Sequence, residues 1–155
     1  MRLWHKDLIP ILPRQQLVAQ WRELSSIAGA IQKNGTPNHM LVNFVLDYPI
    51  DHFVSYAYYV RQEMTQRGYR TMDSVWKKIW SLRGEDNTPQ YIQEEPGYGI
   101  LPYTKVYEDK MSDFYHQVCL WNLIEKVYCG GITEEPYRSR IINAFNNSET
   151  SFRFF

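Results

Sequence analysis

LPRQQLVAQWRELSSIAGAIQK, residues 12–33, is the stretch whose apolar spacing decides the fold class. Leu17, Val18, Trp21, Leu24, Ala28 and Ile31 fall at helical spacings of three, four and seven, which gathers all six on one stripe of a helix. Pro13 stands where a proline best opens a helix, because the N–H it lacks is one the first turn leaves unpaired. The stretch therefore predicts an amphipathic helix from Arg14 to Ile31. Its opposite side carries Ala19, Arg22, Glu23 and Ser26, with Gln15 and Gln16 near the N-terminal end. Ala19 and Ser26 are small, so the helix backbone can be approached closely between Arg22 and Glu23.

Working outward, Pro10 and Pro13 frame an extended segment ahead of the helix, and Lys33 to Asn38, KNGTPN, reads as a loop behind it. The apolar run Met40 to Leu46 follows, of a type the pattern leaves open. Asp51 is suited to cap a second helix with Phe53, Ala57, Val60 and Met64 as its buried stripe, and Gly68 to end it as a left-handed cap. Residues 72–82 read as a short third helix. Residues 83–102 hold three prolines and three glycines and read as a long surface loop. A long helix is expected from Tyr103 to Tyr128, closed by Gly130 and Gly131, then a short one from Tyr137 to Phe145 and the tail SFRFF. The expected fold is all-α: one compact domain over residues 1–155, made of three main helices, short helices and a long loop.

Composition narrows the function. With 155 residues the chain is long enough for a real core, and 44% hydrophobic residues argue against disorder. The 12 Tyr, 7 Phe and 5 Trp fit either a core of large rings or a surface on which bases stack. Net charge is zero, which counts against a nucleic-acid binder of the simple electrostatic kind. The charges are divided, however. Residues 1–83 carry 11 Lys+Arg against 6 Asp+Glu, and residues 84–155 carry 6 against 11. A basic first half is able to form a local anion-binding face, although two halves that merely attract each other fit the same split. Cys119 and Cys129 lack both disulfide-scaffold and metal spacing, and His5, His39, His52 and His116 show no HxxxH or HExxH pattern, so no metal is expected. No P-loop, dinucleotide fingerprint or GxSxG elbow is present, and no cofactor is expected. No apolar run approaches membrane-helix length, and MRLWHKDLIPILP is too broken by charge and proline for a signal peptide. A cytoplasmic monomer is the expectation.

Two segments carry a family resemblance. The LxAxxRELxxxxGA core, Leu17 to Ala30, resembles the first helix of the pyrimidine-dimer DNA glycosylases, the phage endonuclease V type, at the same distance from the N-terminus and without a gap. YYVRQEMTQRGY, Tyr58 to Tyr69, resembles that family's second helix. The resemblance covers roughly residues 1–80.

It implies a DNA repair glycosylase with abasic-site lyase activity, acting on double-stranded DNA that contains damaged bases or abasic sites. In the family the α-amine attacks C1′ of the damaged nucleotide, the base departs, and the resulting imine collapses by β-elimination. Carried over by position, the amine belongs to Met1, expected to be retained because Arg2 is too large for methionine trimming. The catalytic carboxylate is Glu23, and the neighbouring site arginine is Arg22. Arg2, Arg14 and Lys33 are expected DNA contacts, with Gln16 and Ser26 standing where the family has a histidine and a second arginine. An α-amine with a reference pKa of about 7.7–8.0 is a usable nucleophile near neutrality, and a carboxylate facing a cationic sugar acts where charge develops. Trp4 is a candidate base wedge, Trp21 a core ring, and His5 either a proton carrier or, at least as readily, a structural histidine. The alternative is a non-catalytic helical domain that binds nucleic acid or protein on the same scaffold.

Overall fold

Residues 12–33 fold as read. In a computed structural model of the chain, which describes residues 1–84 and 99–148, helix α1 runs Arg14–Asn34. Four more helices follow: α2 at Ile50–Gln66, α3 at Asp73–Ser81, α4 at Asp113–Tyr128 and α5 at Tyr137–Asn146. Short 3-10 segments occur at Lys6–Ile11, Asn43–Asp47 and Tyr103–Lys105, and no strand is found among the described residues. The fold class is all-α. Most of the expected 83–102 loop and the SFRFF tail lie outside the described residues.

The described residues form two compact units. One comprises Met1–Leu3 and Val18–Glu108; the other comprises Trp4–Leu17 and the chain from Asp109 onward. In the first, Leu24, Ile27 and Ala28 of α1 are buried, as are Phe53, Ala57, Val60 and Met64 of α2. Val54, Ser55, Tyr56 and Tyr58 are buried too, so α2 is enclosed nearly all round from Phe53 to Tyr58 rather than along one stripe. Trp76, Ile79 and Trp80 of α3 complete that core together with Ile100, Val106 and Tyr107. In the second unit, Leu8, Ile9, Leu12, Cys119, Leu120, Leu123 and Ile141 are buried. Cys119 acts there as a small core residue, whereas Cys129 is exposed at the end of α4.

Three expectations need correction. The segment before α1 is not extended: Lys6–Ile11 is a 3-10 helix, capped by His5 Nδ1, which accepts from the Asp7 N–H at 3.1 Å. Pro10 lies within it, since the φ that its ring imposes suits a 3-10 turn. Asp51 does not cap α2; it lies in the first turn and pairs with Arg83 at 3.1 Å. The long helix starts ten residues later than the pattern suggests, at Asp113 rather than Tyr103. Tyr107 has φ 50°, which no α-helix tolerates, and Ser112 caps α4 by accepting from the Tyr115 N–H at 3.2 Å.

Gly68 ends α2 as expected. Its φ is 81°; its N–H bonds the Thr65 carbonyl at 3.0 Å, and the Tyr69 N–H reaches the Met64 carbonyl at 2.8 Å. A Cβ at this position would meet nothing within 4 Å, so a substitution there probes backbone strain alone. Gly68→Ala is expected to lower stability by about 1–2 kcal/mol, measured as a reduced urea midpoint with an unchanged slope.

Candidate functional site

The site grows from a polar residue on the wrong side of α1. At about 100° per residue, Gln20 falls between Ile27 and Ile31, inside the apolar arc, and it is fully buried. Three hydrogen bonds satisfy it. Its Nε2 donates to the Arg2 carbonyl at 3.0 Å and to Glu23 Oε2 at 3.3 Å, while its Oε1 accepts from Tyr56 Oη at 3.0 Å. The orientation of the amide is fixed by chemistry: a carbonyl and a carboxylate only accept, so the nitrogen must face them, and the tyrosine hydroxyl must donate to the oxygen. The chain's first residues are thereby fastened beside Glu23.

Glu23 lies at the edge of the buried arc, half-buried, not on the fully solvated face. Burial pushes its carboxyl above the ordinary carboxylate range. Opposing this are the Met1 amine, a hydrogen bond from the Arg2 backbone, His39 and the Arg2 side chain, in that order. The structure thus gathers Met1, Arg2 and Glu23, and adds His39, which the sequence reading did not single out. His39 Nδ1 accepts from the Leu41 N–H at 3.3 Å. The Met1 side chain is exposed, so this corner of the first unit is open.

Cations surround α1 on the exposed flank. Arg22, Ser26 and Lys33 are exposed along it. From α3, Lys78 Nζ donates to Ser25 Oγ at 2.7 Å, and a methyl at Gly29 would approach the same Nζ to 3.8 Å. Gln32 Nε2 donates to Ser81 Oγ at 2.8 Å and fixes α3 against α1. Elsewhere in this unit Arg61, Arg67, Arg83 and Lys105 are matched to Asp73, Glu63, Asp51 and Glu108. Among the described residues, no carboxylate lies within ion-pair distance of Arg22, Lys33, Lys77 or Lys78.

The other sequence candidates fall in the second unit. His5 is buried and both its ring nitrogens are engaged, Nε2 by the Met111 carbonyl at 2.9 Å and Nδ1 by Asp7. Burial pushes its pKa down, so it is a neutral structural histidine rather than a proton carrier. Trp4 is buried and has no free face to offer as a wedge, while Trp21 is a core ring as expected. Arg14 is exposed, and its backbone N–H is taken by Glu134 Oε1 at 2.8 Å, a carboxylate at the positive end of α1. Gln16 turns its Oε1 inward, where the atom is buried and has no hydrogen-bond partner. Among the described residues no cluster of three or more His, Cys, Asp or Glu side chains is placed to hold a metal, and no helix is long and apolar enough to cross a membrane.

The model of the pyrimidine dimer DNA glycosylase family matches residues 1–78, half of the chain and all of α1 and α2. The chain belongs to this family. No curated protein and no solved structure matches it. Membership of this family implies a DNA substrate carrying pyrimidine dimers. The matched segment contains Arg2, Gln20, Arg22, Glu23, His39, Tyr56 and Lys78.

A carboxyl whose pKa is raised by folding binds its proton more readily in the folded state. Stability therefore falls as pH rises through the window between the unfolded and folded values. Glu23→Gln carries no charge at any pH and is expected to melt no lower than the wild type at neutral pH. Any advantage should vanish below the ordinary carboxylate range. Thermal melts of both proteins across pH check the sign.

Proposed function

We propose that this chain excises damaged pyrimidine bases from double-stranded DNA and nicks the strand at the resulting abasic site. The Met1 α-amine is the nucleophile and Glu23 the catalytic carboxylate. The observation that supports this most directly is the tying of the residue 2 backbone to Glu23 by one buried amide, with the Met1 amine acting electrostatically on the same carboxylate. An amine and a carboxylate kept together in this way suit attack on one sugar.

The chemistry runs in balanced steps. The amine lone pair forms a bond to C1′ and the C1′–N glycosidic bond breaks, its electron pair leaving with the base, which takes up a proton. The nitrogen gives up its two protons and its lone pair forms the C1′=N bond of an imine, while the C1′–O4′ bond opens with its electron pair passing to O4′, which takes up a proton as a hydroxyl. Removal of a C2′ proton then expels the 3′ phosphate by β-elimination, and water hydrolyses the imine to restore the amine. Ionised Glu23 stabilises the cationic sugar of the first step. Its raised pKa brings it nearer to the working pH, which suits the later proton transfers.

Binding falls to the cations. Arg22, Lys33 and Lys78 are offered to backbone phosphates by the first unit, with Arg2 beside the amine and Arg14 exposed at the start of α1. Ser26 leaves room for a strand to approach the helix, and Gln16 offers only its amide nitrogen.

Borohydride reduction of the protein on a duplex with one abasic site tests the chemistry, because it freezes an imine and leaves simple binding unlinked. A covalent complex is expected from the wild type. Acetylating the terminal amine should abolish it while DNA is still bound. Glu23→Gln should slow strand cleavage by about 10²-fold or more with binding retained. A wild-type protein that binds this duplex and never traps would instead be the non-catalytic binding domain.

Binding has its own test. Arg22→Ala and Lys78→Ala should each weaken DNA affinity and reduce the slope of log affinity against log salt by about one. Unchanged slopes would remove these two residues from the DNA surface.

A further inference from the structure

We infer that Gln20 is a positioning residue for the amine and carboxylate, and that Tyr56 sets the direction of its amide. This rests on the amine-and-carboxylate reading above and adds the group that holds the two together. Gln20 Nε2 bonds both the backbone of residue 2 and the side chain of Glu23, alongside the hydrogen bond that the Arg2 backbone itself makes to Glu23. The shared nitrogen fixes a distance: moving Arg2 away from Glu23 breaks one of its bonds or strains the other.

Tyr56 matters because an amide can turn over. Its hydroxyl donates to Oε1 at 3.0 Å from within α2, on a side chain that is itself fully buried. Its donation adds to the bias already set by the Arg2 carbonyl and Glu23, two acceptors that a flipped amide would meet with its oxygen; without it the amide is held in direction less firmly. An apolar side chain at position 20 would satisfy the arc in which it lies. It would also remove the donor that Gln20 gives the Arg2 carbonyl and the acceptor it gives the Tyr56 hydroxyl, and with them a link between residue 2 and α2. A glutamine in a purely structural role has no need to bond the backbone next to the candidate nucleophile and the candidate carboxylate together.

Gln20→Met, close in volume and unable to donate, is compared with Tyr56→Phe and with Ile27→Val, a buried core substitution on the same helix that removes no hydrogen-bonding group. Single-turnover borohydride trapping at saturating abasic-site duplex is measured for each, with the dissociation constant determined separately. Gln20→Met is expected to trap roughly ten- to hundredfold more slowly with affinity changed less than about twofold. Tyr56→Phe should show a smaller loss in the same direction, and Ile27→Val should trap at the wild-type rate whatever its melting point. A Gln20→Met protein that traps at the wild-type rate overturns the inference.

A second readout needs no activity. The Glu23 side-chain carboxyl is titrated by carbon NMR in the free protein, with Met1, Arg2 and His39 as the titratable and charged groups that face it. Loss of a donor to the ionised form should move its titration to higher pH in Gln20→Met and leave it in place in Ile27→Val. An unmoved titration also overturns the inference. If the wild type does not trap but the titration does move, the catalytic reading falls while the fastening by Gln20 stands.

Discussion

One buried nitrogen, Gln20 Nε2, is shared between a backbone carbonyl at residue 2 and a carboxylate at residue 23, and the geometry of the candidate site depends on that sharing. Its strength comes from burial. A donor or acceptor stranded in this environment costs about 1–3 kcal/mol, more for a charged group, so each of the four partners holds the others in place. Tyr56, which completes the set, belongs to an aromatic cluster of the first unit, its ring 6.3 Å from that of Tyr107. Tyr107 stacks on His52 at 5.3 Å and gives its N–H to His52 Nδ1 at 2.9 Å. The polar contact at the open corner thus rests on rings packed in the interior of the same unit.

Electrostatics follows a similar division of labour. The first unit spends Arg61, Arg67, Arg83 and Lys105 on carboxylates of its own. What remains on the flank of α1 and α3 is a local excess that a whole-chain charge of zero conceals, since screening makes a surface answer to charges within about 10 Å. Glu23 is the exception on that flank. Its charge is costly because it is half-buried, and the groups that reduce the cost are the ones a sugar–phosphate substrate would meet.

Helix periodicity was enough to place α1 and α2, because their core faces repeat at 3.6 residues and Gly68 signals its own conformation. It failed at Lys6–Ile11, where a histidine side chain caps a turn that prolines were expected to hold extended. It failed again at residues 103–112, where apolar spacing continues through a backbone that Tyr107 bends out of helical space. Glu23 and Arg22 were legible through the RE pair. Gln20 left a signal that went unread: a glutamine inside an apolar arc must find partners when buried. Lys78 and His39 left none, because their nearness to α1 is set by how distant segments pack; for His5 the buried ring with both nitrogens engaged fits the structural one of its two readings, since closeness in sequence to an amine says nothing about which core claims the ring.

The way the chain is threaded has a consequence for its modularity. Residues 1–3 belong to one unit, 4–17 to the other, and the path returns at Val18 and leaves again at Glu108. No single cut separates the two, so neither corresponds to a portable piece of sequence. The family match is no more portable: it stops at residue 78, inside α3, ahead of Ile79 and Trp80 and far short of Tyr107. A fragment trimmed to the matched segment would keep every residue of the shared amide and lose the interior against which Tyr56 is braced. The family signature and the compact units of the fold have different boundaries in this molecule.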